Sequence, residues 1–500
     1  MNLTPIAGNG AQQFLEGRFR GALEQAADGT AVLKLPLGTV DRAAAVLAAE
    51  GARFITIFAA GETTRFLVAA FAFRGEIVAL QAPLLNGSTA YPALSLHLPS
   101  AELAERELHD REGLTPLGHP TLTPALRPDA DDLEQRIVGG ESFVIPYGPI
   151  RSGIFEAIQH VIETGGEDVL LLQTRPYFKH RGLERRFRGL EAVPGVALAE
   201  RIAGIATVAH ATAFSQAVEA ALQIEPPESA RLWRVVHAEI ERVANHLDVA
   251  TKLAEDAALA VGAARFSILK EDVMRLRARL CGSRFGRGVV APGGLASAPM
   301  LSPAELRESL GRFERDLARD RKLLLRTSSF TDRLIGSGRL DRETIDALGG
   351  VGPVARATGL STDARFERPY GAYQRLGFDV VTFEGGDAMA RLDVRFGEIR
   401  ESLHLIRQAL DSLERIADPA VLRTDVAEGE SGAAFGWAEA PQGELVYWIE
   451  LEAGQIRSAH ISSPSLRNWP LFVGSFRGDV LTDFAFIEHS FGLTAAGADR

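Results

Sequence analysis

The sequence predicts an α+β fold, in which a small N-terminal α/β domain precedes a larger domain with a central bundle of long helices flanked by small β-sheets. Two patterns indicate this. Short apolar segments bounded by turn residues fill residues 53–98. Apolar residues then recur every three or four positions over long stretches of residues 199–417. The predicted divisions are a domain at 1–115, an extended linker at 116–142, and a domain at 143–500 whose bundle spans about 199–417 and whose mixed C-terminal region spans 418–500.

The first domain contains two predicted helices and several strands. "VDRAAAVLAAEG" (40–51) is typical of a helix closed by a glycine, and "SAELAERELHDREG" (100–113) is a charged helix. "RFITIFAA", "TRFLVAAFAF", "EIVALQAPL" and "YPALSLHLP" are predicted strands, the first two joined by the turn "GETT". The proline-rich, aperiodic stretch that follows predicts the extended linker.

The second domain is dominated by five predicted long helices. The clearest seam, which predicts a helix packed nearly parallel to others, is an unbroken alternation of four-residue and three-residue steps through Leu392, Phe396, Ile399, Leu403, Ile406, Leu410 and Leu413. The stretch "ERIAGIATVAHATAFSQAVE" (200–219) predicts a helix that starts at Glu200 and is almost without side chains at one end. Such a helix either packs very closely against a neighbour or leaves room for a bound group.

Composition and charge exclude several classes of protein. The net charge of −11 and the pI near 5.6 argue against a general nucleic-acid binder. The one cysteine, Cys281, allows neither an internal disulfide nor a cluster ligated by four thiolates. No apolar run reaches the roughly 20 residues that cross a bilayer, and no signal peptide is expected. Membrane contact is therefore expected only through partners.

Three charged residues stand three and four positions apart in the helix that follows Pro226 and Pro227. Glu239, Arg242 and His246 lie on adjacent turns, and two of them fall on its apolar stripe. Burial of such groups costs free energy unless they are paired. The pattern indicates either a coupling network that handles protons or a structural ion pair.

Other charged positions give weaker signals. The run "KHRGLERRFRGLE" (179–191) is typical of a solvated loop or helix. His210, His460 and His489 are scattered, and no metal-binding, dinucleotide-binding or phosphate-loop motif accompanies them. The residues alone therefore predict a bundle with a buried polar stripe, and they do not name an activity.

Several motifs, taken in order along the chain, resemble one family. "ERELHDREGLTPLGHPTL" (105–122) resembles the end of the small partner subunit of respiratory complex I. The stretches that resemble the quinone-site large subunit of complex I are "YGPI" (147–150), "HRGLE" (180–184), "ERIAGIATVAHATAF", "EIERVANHL" (239–247), "GPVARATG" (352–359), "AEAPQGEL" (438–445) and the final "ADR". That subunit is homologous to the large subunit of membrane-bound nickel–iron hydrogenases, and "RNWP" (467–470) looks closest to the formate hydrogenlyase type.

The resemblance implies a nickel site that this sequence lacks. The positions of the two cysteine pairs of the hydrogenases are Ala203 and Ala206, and Thr494 and Gly497. Soft thiolates suit nickel, whereas these four residues supply none. The resemblance therefore implies that this chain holds no metal.

The quinone residues also differ from the family pattern. The tyrosine and the histidine that bracket the quinone in complex I correspond to Gly204 and Arg151. Gly204 has no proton to donate, and an arginine stays charged. The candidate acceptor cavity consists of Arg151, Gly204, His210 and Thr494, and a quinone is the cofactor that the resemblance implies there.

The resemblance implies the large peripheral subunit of an energy-converting oxidoreductase related to NADH:quinone oxidoreductases and hydrogenases, on the cytoplasmic side of the membrane. An iron–sulfur subunit would carry the clusters, and a membrane arm would move ions. Glu239, Arg242, His246, Arg181 and Glu184 would form the coupling network. The alternatives are a scaffold that has lost the terminal reaction, and a nickel hydrogenase, which elemental analysis for nickel would reveal.

Overall fold

The computed structural model describes residues 9–19, 22–26, 28–61, 65–126, 140, 142–151, 156–416, 420–426 and 429–500. Much of the predicted linker, at 127–139 and 141, lies outside the described residues. The described residues combine many helices with mostly antiparallel sheets, in agreement with the predicted α+β class.

Most of the described helices lie between residues 183 and 413. The helices are α1 Asn9–Arg18, α2 Val40–Ala49, α3 Glu102–Glu112, α4 Leu183–Phe187, α5 Ala192–Ala199, α6 Thr207–Ala221, α7 Glu228–Asp256, α8 Ala260–Cys281, α9 Pro303–Leu325, α10 Ser328–Leu334, α11 Arg342–Leu348, α12 Gly352–Arg356, α13 Ala364–Glu367, α14 Ala388–Leu413, α15 Pro464–Gly474, α16 Phe484–Phe491 and α17 Ala495–Asp499. The five long helices predicted between 199 and 417 correspond to α6, α7, α8, α9 and α14.

The strands that the structure describes form three larger sheets and two short pairs. They are β1 Leu23–Gln25, β2 Ala31–Lys34, β3 Arg53–Ala60, β4 Phe66–Phe73, β5 Glu76–Pro83, β6 Ala90–Pro92, β7 Thr115–Leu117, β8 Phe143–Tyr147, β9 Gln159–Thr164, β10 Val169–Arg175, β11 Val290–Ala291, β12 Gly294–Leu295, β13 Gly432–Ala440, β14 Gly443–Glu452 and β15 Gln455–Ser462. The larger sheets have the strand orders β1-β2-β5-β4-β3, β10-β9-β8 and β13-β14-β15.

The N-terminal sheet is covered on both faces. One face, which includes Phe71 and Leu80, packs on α2 and neighbouring segments, while the other, which includes Phe58 and Val68, packs on β13 and β14. A strand that is buried on both faces has a nearly continuous apolar sequence. This explains why the sequence of β4, "FLVAAFAF", shows no alternation of polar and apolar residues.

The predicted strand "YPALSLHLP" is wrong beyond Pro92. Within this stretch only Tyr91 and Pro92, at the end of β6, are extended. Leu94–Leu96 form a 3₁₀ turn instead. The carboxylate of Glu105 accepts the backbone N–H groups of Leu94 and Ser95 at 2.7 and 3.1 Å. A side chain thus satisfies the donors that a neighbouring strand would otherwise have satisfied.

The predicted start of the small-sided helix at Glu200 is also wrong. Residues 200–206 form turns, and α6 begins at Thr207. The carboxylate of Glu241 accepts the first free N–H groups of the helix, from Val208 at 2.8 Å and Ala209 at 3.0 Å. Glu241 lies far along the chain on α7, so the pattern of residues 200–219 alone could not locate this helix end.

The alanines of α6 allow a very close approach to β13. A Cβ atom built on Gly436 would lie 2.3 Å from the carbonyl oxygen of Ala213 and 2.3 Å from the backbone nitrogen of Ala217. The helix therefore packs with almost no side chains between it and the strand. Close packing, rather than room for a bound group, explains its small residues beyond 207.

The long apolar seam of α14 is confirmed. Leu392, Ile399, Leu403, Ile406 and Leu410 are buried in the largest hydrophobic core. None of the helices that the structure describes is both long enough and apolar enough to cross a membrane.

Candidate functional site

The centre of the candidate site is Glu239, a fully buried carboxylate on α7. Nη1 of Arg365 lies 3.0 Å from both carboxylate oxygens, and Nε of Arg242 lies 3.2 Å from Oε2. The hydroxyl of Tyr373 donates to Oε1 at 2.5 Å, and the hydroxyl of Ser402 donates to Oε2 at 2.7 Å. The negative charge is therefore compensated by direct contacts, as a buried charge requires.

Arg242 connects this carboxylate to the C-terminal sheet. Its Nη2 donates to the backbone carbonyl of Glu439 at 2.6 Å, and its Nη1 donates to that of Ala440 at 3.2 Å. The same Nη1 lies 3.5 Å from Oε2 of Glu398 on α14. The planar fork of an arginine fixes such a junction more rigidly than a lysine would.

His246 is held as a neutral imidazole. Nη1 of Arg395 lies 3.2 Å from its Nδ1, and Oε2 of Glu398 lies 2.8 Å from its Nε2. Because a guanidinium only donates, Nδ1 must accept, and Nε2 carries the proton that Glu398 accepts. Burial is the main cause that lowers the pKa of His246, and together with Arg395 it outweighs Glu398 and brings the pKa to about 4.

Further charged residues extend the cluster toward β13. Nε of Arg356 lies 2.8 Å from Glu398, and its Nη1 lies 2.9 Å from a side-chain oxygen of Glu439. Asp363 pairs with Arg365 at 2.7 Å and lies 3.4 Å from Arg356. We use the name charge network for Glu239, Arg242, His246, Arg356, Asp363, Arg365, Arg395, Glu398 and Glu439.

The charge network contains as many carboxylates as guanidiniums, although burial and the neighbouring Asp363 raise the pKa of Glu439. Burial opposes ionisation of Glu239, but Arg365 and Arg242 overcome this and hold its pKa at about 2. Burial likewise opposes ionisation of Glu398, whose pKa Arg356 and the hydrogen bond from His246 hold well below the usual value. One added or lost charge would therefore disturb every contact, because electrostatic interactions are strong where water is excluded.

Arg181 and Glu184 lie apart from the charge network. Glu184 forms ion pairs with Arg111 of α3 and, at 3.1 Å, with Arg500. Burial would raise the pKa of Glu184, but Arg111 and Arg500 overcome this effect and hold it well below the usual range. Nη2 of Arg500 also lies 2.8 Å from Glu107, so these residues tie the N-terminal helix α3 to the rest of the chain.

Arg181 joins the two segments that the sequence resemblance related to the cysteine pairs of the hydrogenases. Its Nη2 donates to the carbonyl oxygens of Ile202 at 2.8 Å and Ala496 at 2.9 Å. In the chain, Ala203 and Ala206 follow Ile202, while Thr494 and Gly497 lie on either side of Ala496. The two segments therefore lie side by side around one guanidinium.

The four residues of the predicted acceptor cavity have different surroundings. Gly204 is exposed, and a Cβ atom built on it would meet nothing within 4 Å. Nδ1 of His210 lies 2.7 Å from the hydroxyl of Tyr447. The Thr494 hydroxyl donates to Glu156 at 2.9 Å, and Arg151 binds both oxygens of Glu488, at 2.8 and 2.9 Å. Only Gly204 therefore opens onto free space.

The residues at the cysteine positions do not fit nickel. Ala203, Ala206 and Gly497 have no side-chain donor, and the Thr494 hydroxyl already donates to Glu156. Nickel in a sulfur site needs thiolates, which these four residues cannot supply. Within the described ranges, moreover, no three His, Cys, Asp or Glu side chains are grouped so that they could hold a metal ion.

Sequence reasoning missed most partners of Glu239 and His246, although one signal was present. Arg391, Arg395, Glu398 and Ser402 are all buried on α14, and they repeat the spacing of its apolar seam one position earlier. A polar stripe that runs parallel to an apolar seam predicts buried, paired charges. Arg356, Asp363, Arg365 and Glu439 come from short helices, a loop and a strand, where no periodicity exists to reveal them.

The chain is homologous to subunits of complex I and of nickel-dependent hydrogenases, which confirms the resemblance deduced from its motifs. Residues 263–428 match the model of the respiratory-chain NADH dehydrogenase 49 Kd subunit family. Residues 181–249 match the model of the nickel-dependent hydrogenase family. The hydrogenase match contains Glu239, Arg242 and His246, whereas the complex I match contains the partners of these residues on α12, α13 and α14.

Individual relatives come from both groups. Formate hydrogenlyase subunit 5 of Escherichia coli is 28% identical over 82% of this chain and 77% of its own length. An NADH-quinone oxidoreductase subunit of Saccharopolyspora erythraea is 27% identical over 74% of this chain and 92% of its own length. An NADH-quinone oxidoreductase subunit of Acidiphilium cryptum is 25% identical over 85% of this chain and 83% of its own length.

Proposed function

We propose that this chain is the large peripheral subunit of a complex I-like or formate hydrogenlyase-like energy-converting membrane oxidoreductase. It lies between an iron–sulfur subunit and the membrane arm, on the cytoplasmic side. It passes electrons to a quinone-like acceptor without nickel, and the charge network transmits the redox event to the membrane arm. Arg181 and Glu184 hold the acceptor segments and α3 in place.

The observation that carries this proposal is the charge network itself. It joins α7, α12, α13, α14 and β13 through charges that are fully buried yet balanced. A buried ionic cluster of this size is weak support for stability, because apolar residues often replace buried ion pairs at no cost. Clusters that combine burial with specific charge partners are typical of functional sites.

Two features of the Gly204 segment fit a quinone. Gly204 and the exposed Ile205 leave space for an apolar ring. Nε of Arg181 is buried and has no hydrogen-bond partner among the described residues, while both of its Nη atoms donate to carbonyls around this segment. We infer that this nitrogen donates to a carbonyl oxygen of the bound quinone. When bound, a quinone would accept electrons and protons and become a quinol, whereas this chain would bind and orient it.

The test is a reoxidation assay on the intact complex, purified through a tag on this chain. Its iron–sulfur clusters are reduced with dithionite, and a short-chain quinone is added while their paramagnetic signal is followed. The variant Gly204→Trp fills the space that Gly204 leaves, which the absence of neighbours within 4 Å permits. Gly474→Trp, at another glycine without such neighbours, is the control. We expect quinone to reoxidise the wild-type and control clusters, and the variant at Gly204 to block this.

A scaffold that has lost the terminal reaction is the second candidate function. It is favoured by the polar groups of Arg151, His210 and Thr494, which are engaged with Glu488, Tyr447 and Glu156 rather than turned toward a ligand. Clusters that stay reduced in every sample would overturn the acceptor proposal. That result would favour the scaffold.

A further inference from the structure

A second feature of the molecule adjoins the charge network from the solvent side. A cavity of about 290 Å³ lies between α6, α7, β13 and the turn at 369–374. We use the name tyrosine cavity for it, and its lining includes Thr212, Gln216, Tyr370, Tyr373, Gln374 and Trp437. None of these residues belongs to the charge network.

The lining of the tyrosine cavity includes polar side chains that reach solvent. Gln374 is exposed, while Gln216 and Arg231 are half-buried. A buried water needs only a small volume and two to four polar partners, so a cavity of this size and lining can hold several waters. Thr212 supplies one partner inside, because its hydroxyl is buried and has no hydrogen bond among the described residues.

Tyr373 is one of the buried residues that line the tyrosine cavity. Only 4% of this residue is exposed, and its hydroxyl donates to Oε1 of Glu239 at 2.5 Å. Burial is the main cause that raises the pKa of Tyr373 well above its usual value, so the phenol keeps its proton at neutral pH. One side chain therefore separates the cavity from the central carboxylate of the charge network.

We propose that the tyrosine cavity is the route by which protons from bulk water reach Glu239, with the Tyr373 hydroxyl as the last relay. The O–H bond of Tyr373 breaks as its proton passes to Oε1 of Glu239. A new O–H bond forms on the same phenol oxygen as a cavity water gives it a proton, and that water regains a proton from bulk solvent. The phenol is unchanged at the end, and the carboxylate has become a carboxylic acid.

This route rests on the proposed coupling function, because Glu239 is ionised at rest. Arg365 and Arg242 hold its pKa at about 2 despite burial. A proton therefore binds Glu239 only while the positive charge around it is weakened. The redox event in the proposed function supplies that change, and the tyrosine cavity supplies the proton.

The first test asks whether water enters the cavity, and it does not depend on activity. The intact complex is exposed to a synchrotron X-ray pulse, and the oxidation of each tyrosine by radicals from nearby water is measured. We expect Tyr370 and Tyr373 to be oxidised well above Tyr91, which is 1% exposed and lines none of the cavities described. Ala238→Phe, which fills the cavity, is expected to suppress this oxidation, whereas Ala244→Phe on the same helix is not. Oxidation no greater than that of Tyr91 would overturn the route.

The second test removes the relay. Proton uptake is followed with a pH-sensitive dye while quinone reoxidises the reduced complex. Tyr373→Phe is expected to slow uptake by about a hundredfold, the typical contribution of a positioned proton donor. Tyr370→Phe is the matched control, because its hydroxyl oxygen accepts the main-chain N–H of Glu439 and lines the same cavity. Equal rates in Tyr373→Phe and wild type would contradict the relay.

The two proposals fail in different ways. A wild-type complex that neither reoxidises its clusters nor takes up protons, but whose cavity tyrosines are oxidised, would defeat the proposed function and the relay with it. A complex that takes up protons normally while its cavity tyrosines stay unoxidised would defeat only the route.

Discussion

At the scale of single residues, Glu239 is the position where a small change should cost the most stability. Glu239→Gln keeps the size of the side chain but leaves Arg365 and Arg242 without their carboxylate. Removing one partner of a buried ion pair typically costs about 3–5 kcal/mol. We expect the free energy of unfolding, measured by chemical denaturation, to fall by that amount, whereas Glu255→Gln at an exposed position of α7 should change it little.

The lowered pKa of His246 should make the free energy of unfolding depend on pH. Its pKa is about 4 in the folded chain because of burial, against about 6.5 when unfolded, so the unfolded chain binds more protons between these values. The stabilisation is therefore complete above about pH 6.5 and is lost as the pH falls toward 4.

Between pH 7 and pH 5, His246 should contribute a loss of about 2 kcal/mol to the wild-type unfolding free energy. His246→Gln should abolish that part of the loss, and the exposed His404→Gln should leave it intact. Denaturation curves at both pH values measure the difference. Identical pH dependence in wild type and His246→Gln would mean that the pKa of the imidazole is the same in the folded and unfolded chains, and would contradict the lowered pKa.

At the scale of elements, the contact between α6 and β13 depends on the missing side chain of Gly436. Gly436→Ala would place a methyl group 2.3 Å from backbone atoms of α6, and backbone yields less readily than a side chain. We expect a loss of about 1–3 kcal/mol or more in unfolding free energy. Gly474→Ala, where a Cβ atom meets nothing within 4 Å, should be close to neutral.

Periodicity decided which elements the sequence could predict. The seam of α14 is local information, because each apolar residue specifies one face of its own helix. The start of α6 and the turn at Leu94–Leu96 depend instead on carboxylates of Glu241 and Glu105, which lie on other elements. Such elements cannot be predicted from their own residues alone.

The candidate site was also predictable only where its residues share one periodic helix. Glu239, Arg242 and His246 were visible because they share one helix with a regular stripe. Arg365 and Glu439 contact the same cluster from elements more than a hundred residues away, so only the fold brings them together. The family resemblance had already related the segments of Ile202 and Ala496, but it did not predict that Arg181 joins them.

At the scale of the whole molecule, we expect the ion pairs of Arg500 to hold the N-terminal helix α3 against the rest of the chain. It bonds both Glu107 of α3 and Glu184 of α4, and Arg111 of α3 also contacts Glu184. Arg500→Ala should therefore increase amide hydrogen exchange in Glu102–Glu112, because Glu107 loses its buried partner. The exposed Arg477→Ala should leave that exchange unchanged, as measured by mass spectrometry.

In the proposed function, the charge network couples electron transfer to the membrane arm. Arg365→Lys tests it most directly, because lysine preserves the charge but cannot reproduce the contacts that the arginine makes with Asp363 and Glu239 at once. The measurement is the number of ions moved per electron by the intact complex in proteoliposomes, with quinone as the acceptor. We expect electrons still to reach quinone while the number of ions moved per electron falls well below that of wild type. An unchanged ratio in a fully assembled variant would contradict the coupling role and leave the network as a structural ion cluster.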